Sequence, residues 1–457
     1  MGTKVQNKAY LTRDWTQGNI TGNLLSLAWP VMVSQTINTI GPFIDLIWVG
    51  KLGSASVAGV GIGGMAAMMG NAALAGLTMG MRVMIGRAIG AGDKETAIHY
   101  ARQYFLIGAT YAIVMALIGI FLAEPILGLF GVESDVIKEG ASYLRILFIG
   151  IITMTLITFS EGTMQASGDT MIPMRIALTY RLLHILLCPM LIFGIGFFPK
   201  LGVSGAALSD VITQGLGGIL GLFVLFSGFS RLKLNFNNLR FDPSAFLRMV
   251  KIGLPNSFMA IQQMLSMLVL VGFIADFGTT AVAAHTIYQR VESILMVLTM
   301  SIGMSSGVLA AQNMGAKKPE RAAKSSWVAS GFASLIMVLG AIILLIWAEP
   351  IVRIFNSDPS LVEMAAAFLR IACAALVPLG INGVLRHTLT GLGDTLAAFI
   401  MEIVFTWGML IPLVWLSNNF TDFGIWGIRW ILVIRNFFGG LIFALYFWWG
   451  KWKTKKI

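Results

Sequence analysis

Charge is the first thing this chain is short of. Only 12% of its 457 residues are Asp, Glu, Lys or Arg, about half the roughly 25% of an ordinary soluble domain. Cysteine occurs twice, at Cys188 and Cys373, both inside apolar runs, so no disulfide framework is available. Histidine occurs four times. The Gly-rich phosphate loop of nucleotide hydrolases, the His-Glu pair of metalloproteases and paired CxxC motifs are all missing. There is no polar stretch long enough for a soluble domain, and no ATPase signature. The first 20 residues are polar and carry no apolar core before a small-residue cleavage site, so no cleavable signal peptide is expected.

What the chain has in abundance is apolar residues, at 57%. A chain of this kind uses lipid as its solvent, and at some 20 residues per span about a dozen helices fit. The apolar runs are continuous rather than alternating, which argues against a β-barrel. Twelve segments are read: 23–49, 56–88, 97–122, 136–166, 172–196 and 204–227, then 248–276, 281–313, 321–347, 360–391, 394–417 and 425–450.

The two sets of six are copies. Ala123-Glu124-Pro125-Ile126 returns 225 residues on as Ala348-Glu349-Pro350-Ile351, Leu144-Arg145-Ile146 as Leu369-Arg370-Ile371, and Gly168-Asp169-Thr170 as Gly393-Asp394-Thr395. Pro30 pairs with Pro255, Val57-Ala58 with Val282-Ala283, and Gly90-Ala91 with Gly315-Ala316. An internal duplication in so apolar a chain marks a two-lobed membrane transporter. The expected fold is an all-α membrane protein of twelve transmembrane helices, in two pseudo-two-fold related six-helix lobes around a central cleft. The expected divisions are an N-terminal tail 1–22, an N-lobe 23–227, an inter-lobe linker 228–247 with Asn235, Asn237, Asn238 and Pro243, a C-lobe 248–450 and a basic tail 451–457.

The net charge of +11 reads as basic cytoplasmic connections rather than nucleic-acid binding. Arg87, Lys94 and Arg102 surround the second connection, Arg231, Lys233, Arg240, Arg248 and Lys251 the sixth, and Lys317, Lys318, Arg321 and Lys324 the eighth. Lys4, Lys8 and Arg13 precede the first span, and Lys451, Lys453, Lys455 and Lys456 follow the last. The third connection is acidic, with Glu124, Glu133, Asp135 and Glu139 against Lys138. The positive-inside rule then places both termini in the cytoplasm of a multi-pass protein of the cell (inner) membrane.

Ionisable side chains inside spans cost roughly 2.5–3.5 kcal/mol each on insertion scales and so mark candidate sites. Asp45 lies late in the first span, three residues after Pro42, whose missing donor can bend the helix there. It reads as a coupling acid or as a solvated interfacial carboxylate. Arg181, His184 and Cys188 fall on one helical face of the fifth span, before Pro189. His184 suits a proton relay, or a packed, hydrogen-bonded histidine. Asp210 opens the sixth span as a functional or a helix-end carboxylate. Glu161, Glu292, Glu402 and Arg435 share the apolar context, with Arg290-Val291-Glu292 read as a local pair. The 26 methionines could line an adaptable binding surface or serve as membrane-helix filler.

Taken together, Asp45-Leu46-Ile47-Trp48-Val49-Gly50 with Leu52-Gly53, Ile89-Gly90-Ala91-Gly92-Asp93, Ala311-Gln312-Asn313-Met314-Gly315-Ala316 and the two Gly-Asp-Thr ends resemble the multidrug and toxic compound extrusion (MATE) transporters over nearly the whole chain. The major facilitator superfamily also has six-plus-six lobes, but its Gly-x-x-x-Asp-Arg-x-Gly-Arg-Arg loop is missing. The resemblance implies not an enzyme but a monomeric antiporter without cofactor, in which an inward flow of H⁺ or Na⁺ drives export of lipophilic, often cationic small molecules by alternating access, with membrane lipid as its other partner. Its N-lobe coupling positions fall on Asp45, Tyr143, His184, Cys188 and Asp210, with Arg181, Glu161 and Pro42 in support. The family pattern has asparagine where His184 stands, aspartate at Cys188 and threonine at Asp210. Nitrogen and sulfur are poor ligands for a hard cation, which favours H⁺. In the second half, Gln262 and Gln263 and Pro378-Leu379-Gly380 replace acids that some branches carry. At the repeat offset Asp45 faces Leu270, Tyr143 Phe368, His184 Met409 and Cys188 Leu413, and with the offset shifted to 222 Asp210 faces Leu432. The titratable set is therefore expected in the first half alone. A flippase for a lipid-linked precursor, of the same superfamily, is the other function the resemblance allows, with Arg145, Arg181, Arg370 and Arg435 as its basic residues.

Overall fold

The computed structural model describes residues 13–455, apart from 129–133 and 238. Lys4, Lys8, Glu133, Asn238 and Lys456, and the side chains of Val57, Ala58, Asp135, Lys138 and Glu139, lie outside the described residues. Lipid offers no partner to a bare peptide group, so each apolar run closes its own hydrogen bonds as a helix. The helices are α1 (Ile20–Val49), α2 (Ser54–Gly90), α3 (Lys94–Gly128), α4 (Ser134–Ala166), α5 (Met171–Phe193) and α6 (Val203–Ser227). They continue as α7 (Pro243–Ala275), α8 (Thr279–Gly315), α9 (Pro319–Arg353), α10 (Pro359–Leu392), α11 (Thr395–Phe420) and α12 (Gly424–Trp449). Among the described residues, eleven stretches are long and apolar enough to cross a membrane.

Two helices outrun the expected spans 97–122 and 321–347. α3 continues through Pro125 and α9 through Pro350. In α9 the cost appears three residues earlier, where Trp347 leaves helical geometry at φ −111 and ψ 22, because the ring crowds the preceding turn. In α10 the backbone tightens to a 3₁₀ turn over Cys373–Ala375, just before Pro378. In α11 a π-helical stretch spans Val404–Leu410, just before Pro412. α7 starts at Pro243, ahead of the expected span 248–276. Proline suits the first helical turn, and Asp242 caps it by accepting from the Ser244 and Ala245 amides at 2.9 and 3.1 Å.

The chain divides into two compact units. One holds Trp29–Ser257 with the segment ending at Trp15; the other holds Thr16–Ala28 and the chain from Phe258 on. In the first unit α4 is the central helix, packed on α2, α3 and α6, with α5 against α6. Glycines admit it: Gly119 lies against Phe148, Gly218 against Leu156 and Gly221 against Ser160. Close approach through small residues is how helices associate where lipid removes the hydrophobic drive. In the second unit α8 and α10 take the central role, and their backbones meet where Gly307 faces Gly391.

The repeated motifs turn out to be scaffold. Arg145 Nη2 is 2.7 Å from Glu124 Oε1, and its copy, Arg370 Nη2, is 3.0 Å from Glu349 Oε1. Gly168 and Gly393 adopt φ of 89 and 85, a left-handed helix stop that a side chain resists. The aspartate after each glycine is buried and bonded, Asp169 to Ser230 Oγ at 3.1 Å and Asp394 to Tyr446 OH at 2.6 Å.

A leucine at Gly307 would meet the α10 backbone, whereas a side chain at Gly331 enters open space. Overpacking of this kind costs about 1–3 kcal/mol. Gly307→Leu is expected to lower the thermal unfolding midpoint of the purified protein clearly, and Gly331→Ala to leave it nearly unchanged.

Candidate functional site

Five of the residues singled out from the sequence converge in the first unit. α5 presents two faces. Leu182, Leu183 and Leu186 are exposed to the surroundings, while Arg181, His184 and Cys188 point inward and are buried. His184 Nε2 lies 3.2 Å from Asp45 Oδ1 on α1 and 4.0 Å from Asp210 Oδ1 on α6. The Cys188 thiol donates to Asp45 Oδ1 at 3.3 Å. Arg181 Nη1 lies 3.4 Å from Asp210 Oδ1 and 3.3 Å from His184 Nδ1. Gln214 Nε2, one turn along α6 from Asp210, donates to its Oδ2 at 2.5 Å. Side-chain exposure is 0% for His184, 14% for Asp45 and 25% for Asp210, so Asp45 is held among side chains rather than solvated. Asp210 sits two turns inside α6, not at its start.

Tyr143 on α4 is buried in the same apolar cluster as Cys188, Val49 and Ala207. Pro42 is exposed on α1, and having no amide proton it cannot bond the Asn38 carbonyl one turn back. The side chain of that Asn38 accepts from Tyr180 OH at 2.5 Å. Gly41 makes room for the guanidinium: a β-carbon there would overlap Arg181. Glu161 on α4 stands apart from the carboxylate pair, deep in the unit, within electrostatic reach of Arg82 and Arg181.

The arginine settles the histidine's proton. A guanidinium can only donate, so His184 Nδ1 accepts and the neutral ring carries its hydrogen on Nε2, toward the two acids. The Asp45 carboxylate, His184 Nε2 and Cys188 Sγ lie within 4.8 Å of one another, close enough for one metal ion. A metal on Nε2 would require the ring proton on Nδ1, directly against Arg181. The donor set therefore does not suit a metal ion held through His184, despite the spacing. With neutral His184, two carboxylates face one guanidinium, and one negative charge is left over. A buried excess charge is expensive, so the site has capacity for one added positive charge.

Sequence reading missed several partners. Arg82 on α2 is half-buried beside Gly162, which leaves space for it. Its signal was an arginine inside an apolar run, opposite Gly307 in the repeat. The second unit holds polar contacts of its own, around Glu292, Glu402 and Arg435, which stood out in the sequence, and around Arg429, which did not. There Arg429 Nη2 lies 2.5 Å from His285 Nδ1, and the Arg429 guanidinium sits 3.8 Å above Phe368. Glu402 is 2.8 Å from Arg435 and 3.7 Å from Arg386. Glu292 accepts from Tyr288 OH at 2.5 Å, its neighbour one helical turn away. Of these residues Phe368 falls at the repeat position of Tyr143 and Arg386 at that of Glu161, whereas Arg429, His285, Glu292, Glu402 and Arg435 have no counterpart in the first cluster.

A bundle of long apolar helices, with paired acids and a cation buried among them, has the build of a multi-pass membrane transporter. The chain belongs to the MatE family, whose model matches residues 30–190 and 255–416, two blocks that begin at the paired Pro30 and Pro255. It is similar to the probable multidrug resistance protein NorM of Bacillus cereus, 26% identical over 92% of this chain and 93% of that one. The corresponding NorM of Thermotoga maritima is 25% identical over 98% and 97%. In three dimensions it resembles an outward-facing multidrug resistance MATE transporter of the MOP superfamily, with a TM-score of 0.89 at 20% identity over 95% of this chain and 96% of that one. The fold is thus that of MATE transporters, and the relatives are transporters rather than enzymes.

Gly41→Val is expected to push Arg181 off Asp210 and His184 without altering a titratable residue. Losing a charge-assisted hydrogen bond costs about 1.5–3 kcal/mol, so transport should fall roughly tenfold or more, measured as initial efflux rate in proteoliposomes at unchanged protein incorporation.

Proposed function

We propose that the chain is a secondary antiporter that exports amphipathic, often cationic organic compounds by alternating access, driven by inward H⁺ flow through its N-lobe. The observation that carries this reading is the approach of Asp45 and Asp210 to one histidine nitrogen, at 3.2 and 4.0 Å, with the Arg181 guanidinium 3.4 Å from Asp210. One proton cancels the remaining negative charge. Its loss restores a site that attracts a cation, so proton and cationic substrate favour opposite charge states of one lobe. A proton moving down 100 mV supplies about 2.3 kcal/mol, enough to shift a two-state equilibrium by more than tenfold.

Asp45 and Asp210 carry the exchanged proton, His184 sits between them with Nε2 near both acids and its Nδ1 lone pair committed to Arg181, so that it holds the pair together, and Cys188 and Tyr143 line the apolar side of the site. Arg181 sets the charge balance, with Glu161 and Pro42 in support. Na⁺ is disfavoured because nitrogen and sulfur stand beside the acids where a hard cation needs oxygen. In this reading residues 23–227 and 248–450 are the two lobes, joined by 228–247, with the tails 1–22 and 451–457 in the cytoplasm. The protein works as a monomer in the cell membrane, without cofactor. The relatives named for multidrug resistance support small-molecule export.

Reconstituted protein loaded with a fluorescent organic cation tests this under separate gradients. Efflux should follow an imposed pH difference and ignore a Na⁺ gradient. Asp45→Asn should reduce pH-driven efflux below about a tenth, the scale expected when a transfer group is removed. Efflux driven by Na⁺ alone would overturn proton coupling, and full activity of Asp45→Asn would remove Asp45 from the pathway.

A further inference from the structure

We propose that an anionic phospholipid is bound by the first unit, with one acyl chain in a groove between α2, α3 and α7 and its phosphate on Arg240 and Arg248. The groove encloses about 660 Å³ and is lined by Leu77, Leu106, Ile107, Val250 and Leu254, with Phe246 near its mouth. Its α7 wall runs from Phe246 to Ser257, about 17 Å at 1.5 Å per residue. That is close to half of the roughly 30 Å hydrocarbon core, the depth one leaflet's chain occupies.

The wall offers almost nothing polar to a ligand. Thr110 donates to its own helix at the Leu106 carbonyl, 2.9 Å away, and Tyr111 donates to the Gly70 carbonyl. Ser257, at the inner end, is 8% exposed. An occupant of this depth needs no hydrogen-bonding groups, which describes an acyl chain and not a drug with polar substituents, since drug sites carry a few placed polar groups.

The mouth supplies the charge. Arg240 and Arg248 are exposed, the first next in the chain to the lining residue Phe241 and the second between the lining residues Phe246 and Val250 on α7. Gln103 fixes the first by donating to the Arg240 carbonyl at 2.7 Å, and the second lies over the Tyr100 ring at 5.7 Å. The acid at this rim, Asp242, is committed to His99 Nε2 at 3.0 Å and to the cap of α7. A cationic amphiphile would meet two arginines at the entrance, and an anionic headgroup would be held by them.

The test is native mass spectrometry of the full-length protein titrated with dioleoyl phosphatidylglycerol or dioleoyl phosphatidylcholine, which share acyl chains and differ in charge. The expected result is a preference for phosphatidylglycerol of roughly tenfold, on the scale of two arginines near an anionic surface. The surface pair Arg240→Gln with Arg248→Gln should erase that preference, and Val250→Trp, which fills the groove, should weaken both lipids. Equal binding of the two lipids to the unaltered protein would overturn the proposal. Displacement of the lipid by tetraphenylphosphonium at lower concentration than phosphatidylglycerol requires would also overturn it, in favour of a drug site.

Discussion

Arg181 can give hydrogen bonds and can accept none, and the chemistry of the first unit is arranged around that one-sidedness. Its guanidinium reaches Asp210 at 3.4 Å and His184 Nδ1 at 3.3 Å. The second contact turns the ring so that its proton-bearing nitrogen faces Asp45. The first leaves the two carboxylates one positive charge short of balance. Low dielectric makes that shortfall costly, and in the proposed mechanism it is the reason that a proton or a cation binds there. The same contact removes His184 as a metal ligand, although three ligand atoms lie within 4.8 Å.

The second unit solves a related problem with different residues. Arg429 also meets a histidine at Nδ1, at 2.5 Å, and is covered by Phe368 and Tyr288. Glu402 lies between Arg386 and Arg435. Arg386 stands where the first half has Glu161, so duplication preserved a buried charge at that position and reversed its sign. Charge is thus held in both units, with different partners in each.

The repeat proved most useful as a guide to scaffold. Glu124 with Arg145, and Glu349 with Arg370, are surface ion pairs of small energetic weight, but they join the same helix pairs in each half. The Gly-Asp-Thr copies are helix stops with a buried, bonded aspartate. Such features recur because backbone geometry demands them in both halves. Proline did not end the helices. Pro125 and Pro350 lie within helices, and Pro378 and Pro412 follow local changes of helical type, since neighbouring helices can hold a strained turn in place.

The sequence by itself determined the solvent, the number of spans, the duplication and one face of α5. Each of these follows from local hydropathy or from periodicity along a single helix. It also brought Asp45, His184, Cys188 and Asp210 forward, because an ionisable residue in an apolar run stands out. Only the tertiary structure decided that these four share one site, that Arg181 lies between an acid and an imidazole, and that Gly41 leaves room for it. It alone brought Arg429 to His285 and Arg435 to Glu402. Apart from that of Arg181 with His184, these contacts join different helices, 29 to 144 residues apart in the chain, and no periodicity within a helix encodes which of its charges will meet which partner.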